Sequence, residues 1–296
     1  MSINLNPQLA AQQYANTVQL LLQQRGSKLA NTVMSGTHIG KQASPVDQIG
    51  AVTAQKVTTR FGPMQRVDAP TDRRWVFPVD YDLPQYIDTF DQLRLLNDPK
   101  SHYIVNGMYA MGRAMDDEII AAFFGTAKTG ENGGTSTAFP AGDVVAVDEG
   151  AASATGLTLE KLIAAKEQLL AAEVDVEMEP ITACISARQH SDLLRETEIA
   201  SKDYNEKAVL VDGMVRQFLG INFVLTERLG VDGSSYREVP IFVKSGMYLG
   251  KWQEITSSVA QRHDLRGEPW QVYAHGTFGA TRLEEGKVIK ILCSEA

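Results

Sequence analysis

Several features typical of secreted, membrane-anchored or nucleic-acid-binding proteins are missing from this sequence. Only two cysteines occur, Cys184 and Cys293, and both lie in apolar, strand-like runs. This pattern predicts buried thiols rather than a disulfide framework or a metal site. The sequence has no N-terminal signal peptide and no apolar run of about 18 residues, so it predicts no membrane anchor. The net charge of −8 at pH 7 argues against wholesale binding of nucleic acid.

Patterns that indicate catalysis or cofactor binding are also missing. The five histidines lack the spacing of metal ligands. The sequence contains no G-x-S-x-G nucleophile elbow and no G-x-G-x-x-G after a strand. Gly125 and Gly130 have the spacing of a phosphate loop, but Glu131-Asn132 stand where Lys-Ser/Thr is required, and the segment follows a predicted helix. The sequence therefore predicts no enzyme activity, no cofactor and no metal.

Length and composition are those of a folded globular protein. The chain has 296 residues, of which 44% are hydrophobic and 22% charged, which suits one large domain or two intertwined ones. Residues 1–80 carry eight basic and four acidic side chains, whereas the rest carries 20 basic and 32 acidic ones. A basic front and an acidic back favour head-to-tail association between copies.

Residues 98–125 predict one long helix around which the other segments are arranged. Asp98 can cap its N-terminus, Pro99 suits the first helical position, and Gly125 can end it in the left-handed conformation. A helix over residues 99–124 would be about 39 Å long. Its apolar side chains recur at steps of three and four residues: Ile104, Met108, Met111, Met115 and Ile119.

Two features of this helix are unusual for a buried core. Gly107 and Gly112 each cost about 1 kcal/mol relative to alanine in a helix interior. They indicate either a tolerant surface position or the close approach of another segment. Asp116, Asp117 and Glu118 lie together in the second half, where the helix dipole does not favour acidic groups. They form either a solvated face or a docking strip for a basic partner.

The residues before this helix predict an arm and a hairpin. Residues 1–45 are rich in Gln, Asn, Ala and Ser, with one helix expected over residues 8–24. A long β-hairpin follows, with strands at residues 52–60 and 73–79, and Pro78 would place the second strand at a sheet edge. Because two strands alone are marginally stable in water, we expect the hairpin to rest on a neighbouring subunit.

Residues 157–262 predict a mixed α/β unit. Thr158 can cap a helix, and a second, short helix is expected after Ser186. Strands or extended runs are predicted at residues 181–185, 221–226, 239–243 and 251–262. The chain then ends in a predicted hairpin of residues 270–283 and 288–292 around the Glu285-Gly286 turn.

This order of parts resembles one protein family. Three short motifs support the resemblance: ISARQHSDLL, VLVDGMVRQFLGINFVLTERL and FGATRLEEGKVIKI. The arrangement is similar to that of the major capsid protein of tailed bacteriophages, over roughly residues 45–292. The resemblance implies an α+β fold of the Hong Kong 97 type. Its parts would be an N-terminal arm (1–45), an extended loop (46–86), a peripheral domain with a spine helix (87–140 and 263–296) and an axial domain (141–262).

The resemblance also implies function and partners. The chain would be a structural protein without catalytic turnover, forming pentamers and hexamers of an icosahedral shell around double-stranded DNA. It would reside in the virion after assembly in the host cytoplasm. Its partners would be further copies, a separate scaffolding protein, a portal and decoration proteins, with weak, non-specific contact to DNA. Some members of the family are cross-linked through a loop lysine, but Lys56, the only lysine in residues 46–86, is expected to be solvated or ion-paired.

Two other interpretations remain open. An encapsulin-like shell shares this fold and encloses cargo enzymes instead of DNA. An enzyme with a mixed α/β fold would require a pocket with converging polar groups, and the sequence offers no such set.

The clustered charges suggest contacts between subunits. We expect the hairpin of one copy to cross the long helix of the next, so that arginines meet carboxylates. Variants R73E/R74E and D116K/D117K would then each fold but assemble poorly, and their combination would restore part of the assembly. The candidate contact residues are Arg60, Arg66, Arg73, Arg74, Trp75, Asp116, Asp117 and Glu118.

Overall fold

The computed structural model describes residues 23–40, 43–57, 60, 62, 64, 66–87, 100–196, 210–211 and 214–295. The helices in this part of the chain are α1 (Lys100–Phe124), α2 (Leu159–Ala171) and α3 (Ala187–Arg195). The first strands are β1 (Met34–Thr37), β2 (Ser44–Ile49), β3 (Thr71–Val76), β4 (Val79–Ile87), β5 (Ala127–Thr129), β6 (Thr135–Thr137), β7 (Val144–Val145) and β8 (Ile181–Ile185). The later strands are β9 (Leu210–Val211), β10 (Met214–Val215), β11 (Gln217–Phe218), β12 (Ile221–Leu225), β13 (Arg237–Val243), β14 (Met247–Gln261), β15 (Trp270–Arg282) and β16 (Val288–Cys293).

The described residues pack as two compact units. The first takes its residues from the ranges 1–26, 81–113 and 255–276, and the second from 27–80, 114–254 and 277–296. Helix α1 and strands β4, β14 and β15 each contribute residues to both units. The predicted helix over residues 8–24 lies outside the described residues, except for its last two positions.

A six-stranded mixed sheet forms the centre of the second unit, in the order β11-β12-β8-β13-β16-β7. Strand β8 is buried along its whole length, as expected for an interior strand covered on both faces. It pairs in parallel with β12 and antiparallel with β13. The predicted strands at residues 181–185, 221–226 and 239–243 are thereby confirmed.

Helices α2 and α3 begin where the sequence predicts, but their N-termini are stabilised differently. Ser186 caps α3 with a reciprocal capping box, in which its Oγ accepts from the backbone N–H of Arg188 at 3.2 Å. The side chain of Thr158 makes no capping bond to α2. Close to this end of α2, the buried ammonium group of Lys161 donates to the carbonyl oxygens of Thr155 (2.9 Å) and Leu292 (3.0 Å), among others. Burial disfavours the charged ammonium group and lowers the pKa of Lys161. Hydrogen bonds to these carbonyls offset part of the free-energy cost of burying the charge.

Helix α1 confirms the predicted spine. It covers 25 residues, about 38 Å at 1.5 Å per residue, while Asp98 and Pro99 lie outside the described residues. A Cβ atom added to Gly107 would lie 3.3 Å from Ala274 Cβ, which supports the close approach of another segment. Gly125 does not adopt a positive φ angle, so the predicted left-handed end is wrong. A Cβ there would lie 2.7 Å from the Ala121 carbonyl oxygen, so lack of space accounts for this glycine.

The predicted hairpin exists, and its second strand overlaps the predicted residues 73–79, but its first strand lies elsewhere. Strands β2 and β3 pair antiparallel from Ser44 opposite Val76 to Ile49 opposite Thr71. The predicted strand at residues 52–60 is wrong, because the described residues there are exposed and form no strand. Their Val and Thr content favours a strand only where a neighbour covers one face. The edge position inferred from Pro78 is also wrong, since β3 lies between β2 and β5 in a four-stranded sheet that ends with β6.

The predicted C-terminal hairpin is wrong as well. Strand β15 lies in a third sheet of order β1-β14-β15-β4, whereas β16 lies between β13 and β7. The two strands are separated by a 3-10 turn, Glu285–Lys287, and enter different sheets. Val288, Ile289 and Ile291 of β16 are all buried, which fits an interior strand but not one arm of a hairpin.

Candidate assembly interface

Within the predicted extended-loop region (46–86), residues 50–70 connect β2 to β3. From here on, the name extended loop refers to residues 50–70 alone. All its described residues are exposed, including Met64 at 99% and Val57 at 86%. From the end of β2 to Arg60 the chain can reach up to about 35 Å, at roughly 3.3 Å per residue. A loop that exposes large apolar side chains and has no core of its own indicates a surface that binds another molecule.

The base of the extended loop is rigidly held within the chain. Gly50 N–H donates to the carbonyl oxygen of Pro70 at 2.7 Å, which continues the β2–β3 pairing outward. Trp75 donates its indole N–H to the carbonyl oxygen of Gly130 at 2.7 Å. Gly133 has a φ of +69° and packs so closely that a Cβ atom would lie 3.0 Å from the Trp75 ring. Trp75, a candidate contact residue, therefore has a packing role inside the subunit.

A buried charge network joins this base to the end of the spine helix. Arg74 on β3 is 6% exposed and donates to Glu285 Oε2 at 2.8 Å. Glu285 also faces Arg282, at 3.8 Å between Oε1 and Nε. Arg282 is fully buried and donates through Nη1 to the carbonyl oxygens of Phe123 (2.7 Å) and Gly125 (3.0 Å). These carbonyls lie at the C-terminus of α1, where a cation is favourable.

Burial shifts the titration of the groups in this network. The pKa of Arg282 is lowered, because burial disfavours its charged form. The pKa of nearby Asp143 is raised, first by burial and then by the negative charge of Glu285. Sequence reasoning missed this cluster, since its members come from β3, from β15 and the turn after it, and from the turn before β7. No local spacing connects them.

Asp116, the first carboxylate of the acidic strip on the spine helix, is bound within its own subunit and is not available to a partner. Asp116 is fully buried and accepts hydrogen bonds from Ser27 Oγ (2.5 Å), Lys28 N–H (3.0 Å) and Leu29 N–H (3.1 Å). It therefore holds the segment that leads into β1. Because neighbouring helical residues point in directions about 100° apart, Asp116 is buried while Asp117 and Glu118 stay partly exposed.

The next carboxylate of the strip also has a partner in its own subunit. Asp117 forms a bidentate ion pair with Arg228, and these hydrogen bonds raise the pKa of Arg228. Asp117 remains half-exposed. Glu118 is half-buried, and its contact with another subunit stays a prediction.

The two arginines of β3 are also engaged within the subunit. Arg73 pairs with Asp47 across the hairpin at 2.5 Å, and Arg74 belongs to the buried network. R74E would place a second carboxylate beside Glu285, and D116K would bury an unpaired ammonium group. The expectation that both double variants leave the subunit folded is therefore wrong. Arg60 is exposed and Arg66 pairs with nearby Asp68 at 2.7 Å, and the contact of both arginines with another subunit stays a prediction.

One pair of side chains resembles catalytic machinery. His38 Nδ1 lies 2.7 Å from Ser44 Oγ, and its Nε2 lies 2.9 Å from the Tyr248 hydroxyl. Ser44 is 1% exposed and the ring contacts a phenol where a nucleophile–base pair would have an orienting carboxylate, so the trio fixes β1 and β2 to β14. Among the described residues, no three His, Cys, Asp or Glu side chains form a group that could hold a metal ion. No helix in the same part of the chain is long and apolar enough to cross a membrane.

Comparisons with known proteins address the fold as a whole. The family described as phage capsid protein matches residues 6–295. The capsid of Cyanophage P-SCSP1u is similar at 14% identity, with a TM-score of 0.75 over 98% of this chain and 94% of that one. The capsid of Cyanophage Pam1 matches at 14% identity, with a TM-score of 0.73 over 100% and 99%. No curated protein matches the sequence.

A third solved structure, the capsid of a native GTA particle, matches at 10% identity with a TM-score of 0.68, over 97% of this chain and 96% of that one. At such identities the likeness establishes the fold alone. It confirms the predicted α+β fold of the Hong Kong 97 type.

Proposed function

Because the chain belongs to the phage capsid protein family and is a structural protein of an icosahedral shell, we propose that its copies associate as pentamers and hexamers around double-stranded DNA. The observation that carries this proposal is the extended loop. It extends from a base held by hydrogen bonds and exposes apolar side chains that no described residue of its own chain covers, as expected of a surface that another molecule covers. The function of the protein is structural, and we propose that it has no catalytic turnover.

The finer assignments of partners and compartments are proposals as well. A separate scaffolding protein, a portal and decoration proteins complete the particle, which assembles in the host cytoplasm. Contact with the packaged DNA is weak, non-specific and sensitive to salt, because a subunit of charge −8 neutralises few phosphates. Lys56 is exposed, and we expect it to be solvated or ion-paired in the shell, without a covalent link.

We also propose the division into an arm (1–45), an extended-loop region (46–86), a peripheral domain (87–140 and 263–296) and an axial domain (141–262). The pairing of β16 with β13 supports one revision. Residues 288–293 belong with the axial domain, because a strand shares the core of the sheet in which it pairs.

Electron microscopy of the expressed protein tests the proposed function. Closed shells of pentamers and hexamers are expected when a scaffolding protein is co-expressed, and few or irregular ones without it. Particles filled by the packaging reaction should contain double-stranded DNA. A defined cargo protein in place of DNA would instead support the encapsulin-like alternative, and a chain that stays monomeric under all conditions would contradict a shell function.

Hydrogen exchange should report the role of the extended loop. We expect the amides of residues 51–57 and 66–69 to exchange almost without protection in unassembled subunits, because they form no strand, and to become protected in shells. Strand β8 is the internal control, since it should be protected in both states. If the loop amides were as well protected in a stable monomer as in shells, this would contradict the role of the loop as a contact surface.

A further inference from the structure

The turn between β5 and β6 contains an asparagine followed by a glycine, Asn132-Gly133. The side chain of Asn132 is exposed, whereas Gly133 is buried. An asparagine in this dipeptide can react with its own backbone, because glycine has no side chain that shields the backbone nitrogen from the preceding side-chain amide. A second dipeptide of the same kind, Asn106-Gly107, lies inside α1. The two sites differ in how the backbone nitrogen is held.

The backbone nitrogen of Gly133 is held by a long hydrogen bond. Its N–H donates to the carbonyl oxygen of Gly130 at 3.4 Å, which is longer than the usual range. The same oxygen accepts the indole N–H of Trp75 at 2.7 Å. Gly107 lies within α1, where each N–H bonds to the carbonyl oxygen four residues earlier. The helix has to open before the nitrogen of Gly107 can react, whereas the turn between β5 and β6 does not.

The fold itself requires the glycine that makes Asn132 reactive. Gly133 has a φ of +69°, a conformation that favours glycine over all other residues. A Cβ atom at this position would lie 3.0 Å from the Trp75 ring. A larger residue would shield the nitrogen, but it would also displace Trp75 from the base of the extended loop. The reactive dipeptide is therefore linked to the packing of Trp75.

We propose that Asn132 is a site of spontaneous covalent modification that converts it to isoaspartate and aspartate. The backbone nitrogen of Gly133 loses its proton and attacks the side-chain carbonyl carbon of Asn132, and the side-chain nitrogen leaves as ammonia. The product is a five-membered succinimide ring. Water then opens the ring, at the backbone carbonyl to give isoaspartate or at the side-chain carbonyl to give aspartate. Water is the only co-reactant, and nothing is oxidised or reduced.

Isoaspartate changes both the geometry and the charge of this turn. The main chain then runs through the former side chain and is longer by one methylene group before Gly133. The pairing of Thr129 with Thr135 fixes the two ends of the turn, so the extra methylene displaces Gly133 from the Trp75 ring. The side chain also changes from neutral to negative. We therefore expect the modification to loosen the base of the extended loop as the protein ages.

Peptide mapping by mass spectrometry tests the reaction on the folded, unassembled full chain. The protein is kept at mildly alkaline pH, which favours loss of the backbone proton, and in water enriched in a heavy oxygen isotope, which labels every product. We expect Asn132 to react at least about tenfold faster than Asn106, because opening of α1 costs free energy. In the chain unfolded by urea, both should react at similar rates. A protein isoaspartyl methyltransferase with labelled S-adenosylmethionine should methylate the product at position 132.

Two outcomes of this experiment would overturn the proposal. One is an equal rate for Asn132 and Asn106 in the folded protein. The other is an Asn132 that stays unmodified while the unfolded chain reacts. Because both measurements use unassembled subunits, they do not depend on the proposed function.

Hydrogen exchange tests the effect on the base of the extended loop. Once Asn132 has reacted, the amides of β3 and β5 should lose protection, while those of β8 should keep it. Asn132→Gln is the matched control, because a glutamine would have to form a less favourable six-membered ring, and it should keep full protection after the same incubation. Freshly purified Asn132→Asp has the new charge without the longer main chain and should keep most of it. Unchanged protection after Asn132 has reacted, or an equal loss in the incubated Asn132→Gln variant, would overturn the structural effect.

Discussion

Replacing Asp116 by alanine should lower the free energy of unfolding by about 3 kcal/mol, because it leaves up to three buried donors without an acceptor. Two of these donors are the backbone N–H groups of Lys28 and Leu29, at 3.0 and 3.1 Å from the carboxylate. The third is the Ser27 hydroxyl at 2.5 Å. Leu29 is itself fully buried, so water cannot readily replace the lost acceptor. Urea denaturation of the unassembled subunit measures the change.

Asp117→Ala is the matched control for this prediction. Asp117 is the next residue on the same helix, but its side chain retains 44% of its exposure and its partner Arg228 retains 35%. An ion pair that solvent screens in this way contributes about 1 kcal/mol or less. We therefore expect Asp117→Ala to lower the free energy of unfolding only slightly. Asp116→Asn keeps one acceptor oxygen, so its loss should lie between those of Asp117→Ala and Asp116→Ala. Similar losses for Asp116→Ala and Asp117→Ala would contradict the anchoring role of Asp116.

The contrast between these two neighbours shows how far the sequence could predict the structure. The three- and four-residue period of α1, the short apolar run of β8 and the capping residue Ser186 are local signals. Each correctly located its element. Nothing local distinguishes Asp116 from Asp117, because the partners of Asp116 lie 87 to 89 residues away along the chain. The burial of one carboxylate and the exposure of the other are decided by tertiary packing.

Strand pairing was harder to predict for the same reason. Residues 52–57 have the composition of a strand, yet they remain exposed, because no neighbour in the described part of the chain covers them. Strands β15 and β16 follow each other closely, yet they join different sheets. Composition indicates that a segment can form a strand, while the choice of partner depends on which apolar face finds a core. The position of the buried network around Arg282 follows from such choices.

The buried network around Arg282 is the second place where a substitution should strongly lower the free energy of unfolding. Replacing Arg282 by methionine should lower the free energy of unfolding by about 3–5 kcal/mol, the usual cost of removing one partner of a buried ion pair. Two α1 carbonyl oxygens, those of Phe123 and Gly125, lose the donor that lies within 3.0 Å of them. Glu285 keeps Arg74 as its only close cation in the network. The end of the spine helix and the base of the extended loop are then no longer connected through Glu285.

Because the pairing with Glu285 is separate from the hydrogen bonds to the α1 carbonyls, a double-mutant cycle separates the two effects of Arg282. Glu285→Gln in the R282M background should restore part of the stability, since it removes the carboxylate that lost its partner. Arg282→Lys should recover only part of it, because an ammonium group lacks the planar fork that reaches the carbonyls and Glu285 together. Lys287→Met, which affects only the more exposed pair with Glu284 at 3.2 Å, is the control and should change stability by less than about 1 kcal/mol. Urea denaturation measures all four variants, and shell yield follows from sedimentation. Equal losses for R282M and K287M, or parental shells from R282M, would show that the network does not hold the loop base to the spine helix.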